Sequence, residues 1–189
     1  MNHTDQIDKL NLVWIDMEMS GLDFEQDVIL EVATIITDKD LNILAEGPEL
    51  VLRQNEELFA KMDDWNQKHH TQSGLWEKVL KSDVSLESAE EQTLDFIKKY
   101  TKPSMNILCG NSIAQDRLFI LKHMPELNKH LHYRMIDVTS IKELGKRWYG
   151  SKFTTPEKLN KHRALDDIKE SIEELKHYQK FLFKDKITE

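Results

Sequence analysis

The segment VWIDMEMSGLD, Val13–Asp23, constrains the fold most, because it begins as a strand with apolar residues on both faces and two acids among them. A strand that is apolar on both faces is typical of a buried sheet. The side chains on one face of this strand are Leu12, Trp14, Asp16 and Glu18, and those on the other are Val13, Ile15 and Met17. Two ionised carboxylates about 7 Å apart on one face repel each other and are costly to desolvate. The segment therefore predicts a compensating group beside Asp16 and Glu18.

Three β-like segments begin the chain, and a mostly helical region follows them. The strands are predicted at Leu12–Glu18, Val28–Asp38 and Ile43–Leu52, and the turn at 38–42 favours an antiparallel meander. The region 55–100 contains the unusual cluster MDDWNQKHHTQSGLW and then an amphipathic helix over 86–100, which Pro103 closes. Glu31 interrupts the apolar second strand, and nothing in the sequence explains it.

Strands and helices alternate in the second half of the chain. The predicted elements are strand Asn106–Cys109, helix Ile113–His123, strand His132–Val138, helix Ser140–Tyr149 and helix Arg163–Phe183. Three strands followed by this alternation indicate an α/β domain with a mixed sheet covered by helices. The length of 189 residues suits one domain over 1–189, and we expect flexible ends at about 1–10 and 184–189.

Composition and charge limit the classes of partner. The formal net charge is −8 without a basic block, which disfavours a long duplex nucleic acid but permits a short anionic substrate held by metals and a few cations. The single cysteine, Cys109, excludes an internal disulfide and a multi-cysteine zinc site. The N-terminus lacks the pattern of a signal peptide, and the apolar run 28–36 is too short to span a bilayer. We expect a cytoplasmic protein.

Asp116 is an acid in an apolar helix. It follows Ile113 by three residues and precedes Ile120 by four, so the three side chains share one helical stripe. The simplest interpretation of a lone inward acid is an ion pair with a nearby Arg or Lys. The alternative is a metal ligand, because buried charges are paired or bind metals.

The C-terminal helix contains HRALDD at 162–167, and only one of its acids is predicted to face inward. The apolar stripe consists of Ala164, Leu165, Ile168, Ile172 and Leu175. At about 100° per residue, Asp166 falls opposite this stripe and Asp167 at its edge, where it can reach a cleft. We therefore select Asp167 and interpret Asp166 as a surface acid. His162 would approach the same cleft from the preceding loop, although a lone histidine is more often structural than catalytic.

Convergence of Asp16, Glu18, Asp116 and Asp167 would create a charge of about −4, which two divalent cations neutralise. Oxygen ligands favour Mg²⁺ or Mn²⁺ over zinc. Two such ions about 3.5–4 Å apart are typical of phosphoryl transfer, and His162 could accept the proton of the attacking water. The constellation predicts phosphodiester hydrolysis.

Four segments, WIDMEMSGLD, ILEVATIITD, GNSIAQDRLFI and HRALDDIKES, resemble the ordered motifs of the DEDDh 3′–5′ exonucleases. The resemblance is closest to the oligoribonuclease branch and extends through MDDWNQKHH and HYRMIDVTSIKEL, over nearly the whole chain. It implies a ribonuclease-H-like fold with a mixed five-stranded sheet, a homodimer, and release of mononucleotides from the 3′ end of RNA of two to five nucleotides. It also assigns the two metals to the four acids above and the general base to His162.

The same resemblance suggests residues that bind the substrate. Leu22 is similar to an apolar wedge between two bases and Trp65 to a stacking platform, although either could be an ordinary core residue. His70 is a candidate phosphate or active-site neighbour, whereas His69 is expected at the surface. Recognition of a 5′-phosphate at a pocket, rather than a long basic groove, would explain a preference for very short RNA.

Further candidates lie near the fourth and fifth strands. Ser112 and Gln115 form a capping box, which is sufficient as a structural role, but the resemblance places them at the 5′-phosphate and the nucleotide. Tyr133 and Arg134 would reach into the partner subunit's site, with Arg134 on the terminal phosphate. Thr139 is a weaker candidate, because Ser140–Glu143 is itself a cap signature.

Two other functions remain open. One is a DNA exonuclease of the same superfamily, against which the HYRMID segment and the short chain argue. The other is a module that binds nucleotides or a structural cation without hydrolysis, and it would require the complete set of acids to be coincidental.

Overall fold

The computed structural model describes residues 7–156 and 163–183 of the chain. Its strands are β1 (Leu12–Met19), β2 (Ile29–Thr37), β3 (Ile43–Val51), β4 (Ile107–Gly110) and β5 (Met135–Asp137). Its helices are α1 (Asp64–Gln72), α2 (Leu75–Lys81), α3 (Leu86–Ile97), α4 (Ala114–His123), α5 (Pro125–His130), α6 (Val138–Tyr149) and α7 (Ala164–Leu182). Short 3₁₀ segments cover Glu56–Lys61 and Gly150–Lys152.

The five strands form one mixed sheet in the order β3-β2-β1-β4-β5. β1 pairs antiparallel with β2, and β2 antiparallel with β3, as the predicted meander requires. β4 and β5 join in parallel, each through a helical connection. The predicted mixed five-stranded α/β fold is therefore confirmed, with β1 at its centre.

Helices cover both faces of β1, because both faces of this strand are apolar. Val13, Ile15 and Met17 belong to a core cluster that includes residues of α3, α4 and α5. Trp14 belongs to a second cluster, on the opposite face, with residues of α6 and α7. Since alternate residues of a strand share a face, Asp16 and Glu18 lie on the α7 side of the sheet.

Several elements differ from the sequence prediction. The helix predicted over 86–100 ends at Ile97, and the helix predicted from Ser140 begins at Val138. The fifth strand covers Met135–Asp137 instead of 132–138, because the Asp137 carboxylate caps the next helix by accepting a hydrogen bond from the Thr139 N–H (2.9 Å). The helix Pro125–His130 was not predicted, although proline is favoured at the first position of a helix.

Within residues 7–156 and 163–183, no helix combines the length and the apolar character needed to cross a membrane.

Candidate active site

Three carboxylates from two elements meet above the C-terminal half of β1. Asp16 and Glu18 project from the strand, and Asp167 projects from the first turn of α7, which packs on the same face. One carboxylate oxygen of each residue lies within 4.8 Å of the other two. Such a separation allows one cation to contact all three side chains.

Asp116 reaches the same strand from α4. Its side chain is 6% exposed, and its Oδ1 accepts a hydrogen bond from the Met17 N–H (3.0 Å). Met17 lies between Asp16 and Glu18 in β1, so this hydrogen bond fixes Asp116 beside the other acids. Its negative charge contributes to the raised pKa values of both Asp16 and Glu18.

Burial and mutual repulsion make these carboxylates hard to ionise. Burial and then the charges of Asp116 and Asp167 raise the pKa of Asp16 well above its usual range. Burial and then Asp167 raise the pKa of Glu18 to about 8. Burial raises the pKa of Asp116 to about 7, although hydrogen bonds from backbone N–H groups oppose this effect. The oxygen donors of the group suit Mg²⁺ or Mn²⁺.

The other residues of HRALDD have different positions. Asp166 is half-buried rather than fully exposed, and it lies close enough to Arg163 to contribute to the raised pKa of that guanidinium. His162, the predicted general base, lies outside the described residues.

His70 lies beside the acids, at the end of β1. Its ring is 1% exposed, and its Nε2 is 2.9 Å from the Met19 carbonyl oxygen. Since a carbonyl only accepts, Nε2 carries the proton. Burial lowers the pKa of His70, so the ring is neutral and its Nδ1 is an acceptor 3.9 Å from Glu18 Oε2. The structure thus makes His70 a neighbour of the active site.

The loop after β1 displays Leu22 to solvent. This side chain is 74% exposed, so the interpretation of Leu22 as a core residue is wrong. Asp27 holds the loop, because it accepts hydrogen bonds from the Ser20 hydroxyl (2.8 Å) and the Asp23 N–H (3.0 Å). A side chain at Gly21 would place its first carbon 2.3 Å from an Asp27 carboxylate oxygen, so the loop requires glycine there.

Gln115 connects this loop to the helix that carries Asp116. Its Nε2 donates to the Leu22 carbonyl oxygen (2.5 Å). The predicted capping box is wrong, because α4 begins at Ala114, after Ile113, and no side chain caps it. Ser112 instead has a positive φ of 51°, and its N–H bonds to Asp137 and Thr139.

Ser112 and Thr139 contact each other beside α4. The Ser112 N–H donates to Asp137 Oδ1 (3.0 Å) and to Thr139 Oγ1 (2.9 Å), and the two hydroxyl oxygens are 3.2 Å apart. Thr139 Oγ1 in turn donates to Asn111 Oδ1 (3.0 Å). The charge of Asp137 also contributes to the raised pKa of Asp116, which places this hydroxyl pair near the acids.

The two exposed aromatic candidates each rest on a neighbouring ring. Trp65 is 63% exposed and stacks on His69, with ring centroids 4.3 Å apart and planes 11° from parallel. Tyr133 is 72% exposed and stacks on His132, and its hydroxyl accepts a hydrogen bond from Arg134 Nε (3.1 Å). A core role for Trp65 is therefore wrong. Both aromatic rings are available to a ligand.

Asp27, Asp137, Asn111 and Arg163 were missed by the sequence analysis. Asp137 had a usable signal, since an acid between a strand and a helix is a common N-cap. Asp27 and Asn111 act through hydrogen bonds that depend on loop conformation, which periodicity does not report.

Solved structures share this fold. E. coli exonuclease I in complex with a dT13 oligonucleotide superposes with a TM-score of 0.70 at 12% identity, over 91% of this chain and 41% of that chain. Exonuclease I from Methylocaldum szegediense gives a TM-score of 0.62 at 14% identity, over 91% and 41% of the two chains. The chain thus spans about two-fifths of the length of these structures, and identities this low establish the fold alone.

The RNase_T family of exonucleases matches residues 13–175, and these include all four acids. The chain therefore belongs to this exonuclease family. It is 51% identical to the oligoribonuclease of Mannheimia succiniciproducens, over 95% of this chain and 96% of that protein. It is 52% identical to the oligoribonuclease of Pasteurella multocida, over 92% and 95%, and 50% identical to the human mitochondrial oligoribonuclease, over 94% and 76%. Within the exonucleases, the chain is a member of the oligoribonuclease family.

The acid cluster should destabilise the protein when cations are removed. The pKa of Glu18 is 4.5 in the unfolded chain and about 8 in the folded protein. The folded protein therefore binds this proton more tightly, and the free energy of unfolding falls as the pH rises from 4.5 to about 8. We expect Glu18→Gln to stabilise the chelator-treated protein at pH 8, by at most about 5 kcal/mol, and to have little effect at pH 4. Urea unfolding with EDTA at both pH values measures this.

Excess Mn²⁺ should make the wild-type protein more stable than Glu18→Gln at pH 8, because the complete set of acids binds Mn²⁺ more tightly than the variant does. Equal unfolding free energies for wild type and Glu18→Gln in EDTA at pH 8 would contradict the electrostatic argument.

Proposed function

We propose that this protein is a metal-dependent 3′–5′ exoribonuclease that hydrolyses RNA of two to five nucleotides, dinucleotides especially, to 5′-mononucleotides. The observation that carries the proposal is the group of Asp16, Glu18 and Asp167 oxygens within 4.8 Å of one another, with buried Asp116 bonded to the same strand. Relatives named oligoribonuclease, about half identical over most of the chain, support the substrate class.

Asp16, Glu18, Asp116 and Asp167 would hold two divalent cations, Mg²⁺ or Mn²⁺. When bound, these cations would supply Lewis-acid stabilisation of the charge that develops on the phosphodiester under attack. The acids fit this role because they offer oxygen donors and because a cation would offset the repulsion that Asp16 and Glu18 experience from Asp167.

His162 is the proposed general base. It removes a proton from water as the water oxygen forms a bond to the 3′-terminal phosphodiester phosphorus. The bond from phosphorus to the 3′ oxygen of the preceding nucleotide breaks, and that oxygen takes a proton from solvent to become a 3′ hydroxyl. The products are a 5′-mononucleotide and an RNA shorter by one nucleotide. An imidazole suits the proton transfer because it titrates near neutral pH.

Leu22 and Trp65 are the proposed contacts to the bases. Both side chains are mostly exposed, yet each is held in place, Leu22 by the hydrogen bonds of its loop and Trp65 by the His69 ring. Such pre-organisation lowers the entropy lost when a flexible single strand binds. Gln115 lies between this loop and Asp116, where it can contact the nucleotide, and His70 supports the site beside Glu18.

The 5′ end of the RNA is proposed to bind at Ser112 and Thr139, with Tyr133 and Arg134 contributed by the partner subunit of a homodimer. The two hydroxyls are adjacent, and Arg134 is exposed and ordered by the Tyr133 ring. Hydroxyl and guanidinium donors both suit a terminal phosphate. If both ends of the substrate are bound, the pocket selects its length and no long basic groove is needed. This is compatible with a net charge of −8.

We further propose that the protein acts in the cytoplasm and that residues 1–189 form a single exonuclease domain. The RNase_T match over 13–175 supports one domain. The ends expected to be flexible fall largely outside the described residues.

A DNA exonuclease remains the second candidate function, because a protein of similar fold, E. coli exonuclease I, was solved in complex with a DNA oligonucleotide. Turnover of matched RNA and DNA dinucleotides distinguishes the two functions. A DNA rate equal to or above the RNA rate would overturn the proposed substrate class.

Hydrolysis should depend on the carboxylate of Asp167 and not on that of Asp166. Asp167→Asn removes a carboxylate of the cluster and should lower kcat/KM at least about 100-fold, since metal-assisted charge stabilisation contributes several kcal/mol. Product analysis on a 5′-labelled RNA ladder of two to ten nucleotides, with and without chelator, measures rate, direction and length preference.

Asp166→Asn is the matched control, because it removes the same charge one residue away, and it should retain most of the activity. Unchanged hydrolysis by Asp167→Asn, or wild-type activity that resists chelator, would contradict the proposed mechanism.

The Leu22 loop should act through binding rather than chemistry. Asp27→Ala removes the carboxylate that orders the loop and should raise KM for a dinucleotide about 5–100-fold, the range expected for one lost base contact. Steady-state kinetics should show a much smaller change in kcat. Glu25→Ala, in the same loop but exposed, is the control and should leave KM nearly unchanged. An unchanged KM in Asp27→Ala would refute a binding role for the ordered loop.

Arg134 should recognise the terminal phosphate. Arg134→Ala should slow hydrolysis of 5′-phosphorylated dinucleotides about 10–100-fold more than that of unphosphorylated ones, because a charged hydrogen bond is worth about 1.5–3 kcal/mol. Arg147→Ala removes an equal charge from the exposed end of α6 and should not discriminate. Equal losses on both substrates would contradict this role. Light scattering at low micromolar concentration tests the homodimer on which it depends.

A further inference from the structure

Glu31 is a fully buried acid in β2, the strand beside the central strand β1. It lies in β2 directly opposite Glu18 of β1, and its side chain is 0% exposed. A buried carboxylate requires a partner, and here the partner is Arg163. Arg163 Nε is 3.2 Å from both carboxylate oxygens of Glu31, and Arg163 Nη2 is 2.5 Å from Glu31 Oε1.

This ion pair is attached to the beginning of α7. Arg163 is the N-cap residue, and the Ala164 N–H donates to Glu31 Oε2 (3.3 Å). The Asp167 N–H donates to the Arg163 carbonyl oxygen (3.0 Å). Arg163 also contacts Glu49 of β3. A continuous series of hydrogen bonds therefore runs from β2 to the backbone of Asp167.

We propose that Glu31 is a positioning residue, which holds the first turn of α7 against the sheet so that Asp167 stays beside Asp16 and Glu18. The inference rests on the proposed role of these acids in binding cations. Without cations the three carboxylates repel one another, so a restraint is needed at the end of the helix where Asp167 lies. Buried ion pairs contribute little net stability but can fix a unique geometry.

Contacts further along α7 act less directly on its first turn. Asn111 Nδ2 donates to Ser171 Oγ and to Glu174 Oε2, which lie one and two turns beyond Asp167. Ile168 and Ile172 pack the helix on the sheet, but apolar packing is not directional and permits small shifts of the first turn. Lys169 pairs with Glu46 of β3, but this pair is exposed, and such pairs are worth little. The bidentate contact between Arg163 and Glu31 is directional and buried.

The test measures Mn²⁺ binding to the full chain by electron paramagnetic resonance, without RNA. Glu31→Gln should weaken Mn²⁺ binding about 10–100-fold, the usual effect of losing a residue that orients a metal ligand. Glu46→Gln removes an equal charge from the exposed pair and should remain within about twofold of wild type. With saturating Mn²⁺, Glu31→Gln should affect kcat more than KM on an RNA dinucleotide, because the base contacts are unchanged.

Arg163→Gln separates positioning from simple charge. Removing this positive charge would strengthen Mn²⁺ binding if only net charge mattered, whereas loss of the restraint weakens it. The double variant Glu31→Gln, Arg163→Gln should then be no weaker than the poorer single variant. Tighter binding by Arg163→Gln, or an unchanged affinity in Glu31→Gln, would overturn the proposal.

Two measurements exclude a purely structural effect. Circular dichroism reports whether each variant is folded at the assay temperature, and hydrogen exchange of the chelator-treated protein should show faster exchange over 164–168 but not at the end of α7. If Glu31→Gln does not fold, Arg163→Lys decides, since it keeps the charge and loses the bidentate contact. Wild-type Mn²⁺ affinity in a folded Arg163→Lys would refute the inference. A wild-type protein that binds Mn²⁺ but leaves RNA intact would defeat the proposed function alone.

Discussion

The repulsion among four carboxylates around β1 is the constraint that the rest of the structure accommodates. Asp16 and Glu18 occupy one strand, and Asp116 and Asp167 arrive from helices on its two faces. Burial desolvates them and they repel one another, so their proximity opposes folding unless other contacts impose it. Two such contacts are buried: the Met17 N–H bonded to Asp116 and the Arg163 guanidinium bonded to Glu31. The fold therefore maintains an arrangement of charges that bound cations or protons would make favourable.

The topology explains why the acids and the other candidate residues share one end of the sheet. β1 and β4 are parallel neighbours, so their carboxyl ends point the same way, and the loops after them meet. Leu22 follows β1, and Ser112 and Gln115 follow β4. β5 is parallel to β4, which brings Asp137 and Thr139 to the same edge. The crossover connections thus place chemistry from distant parts of the chain together, while the antiparallel strands β2 and β3 support them from the side.

Periodicity was sufficient where a residue's orientation follows from its own element. Strand alternation assigned Asp16 and Glu18 to one face, and helical spacing directed Asp116 inward, where it is buried. Helical spacing also separated Asp167 from Asp166, and the carboxylate of Asp167 lies beside those of β1. Glu31 had no explanation, because its partner Arg163 is 132 residues away and nothing local indicates the pair. The loop contacts of Asp27 were missed for a similar reason, since they depend on backbone conformation, whereas the cap at Asp137 did have a local sequence signal.

The same four acids cannot by themselves select the length of a substrate, because a cation site contacts only the phosphate that reacts. Selection must come from groups at fixed distances from that phosphate. The proposed contacts meet this condition, because they belong to the elements that carry the acids. Gln115 precedes Asp116 by one residue and bonds to the Leu22 carbonyl, and Leu22 follows Glu18 by four residues. The backbone N–H groups of Ser112 and Thr139 both donate to Asp137, whose charge acts on Asp116. On the proposed assignment, contacts held on the elements that carry the acids would enclose a dinucleotide, and a longer strand would extend beyond them.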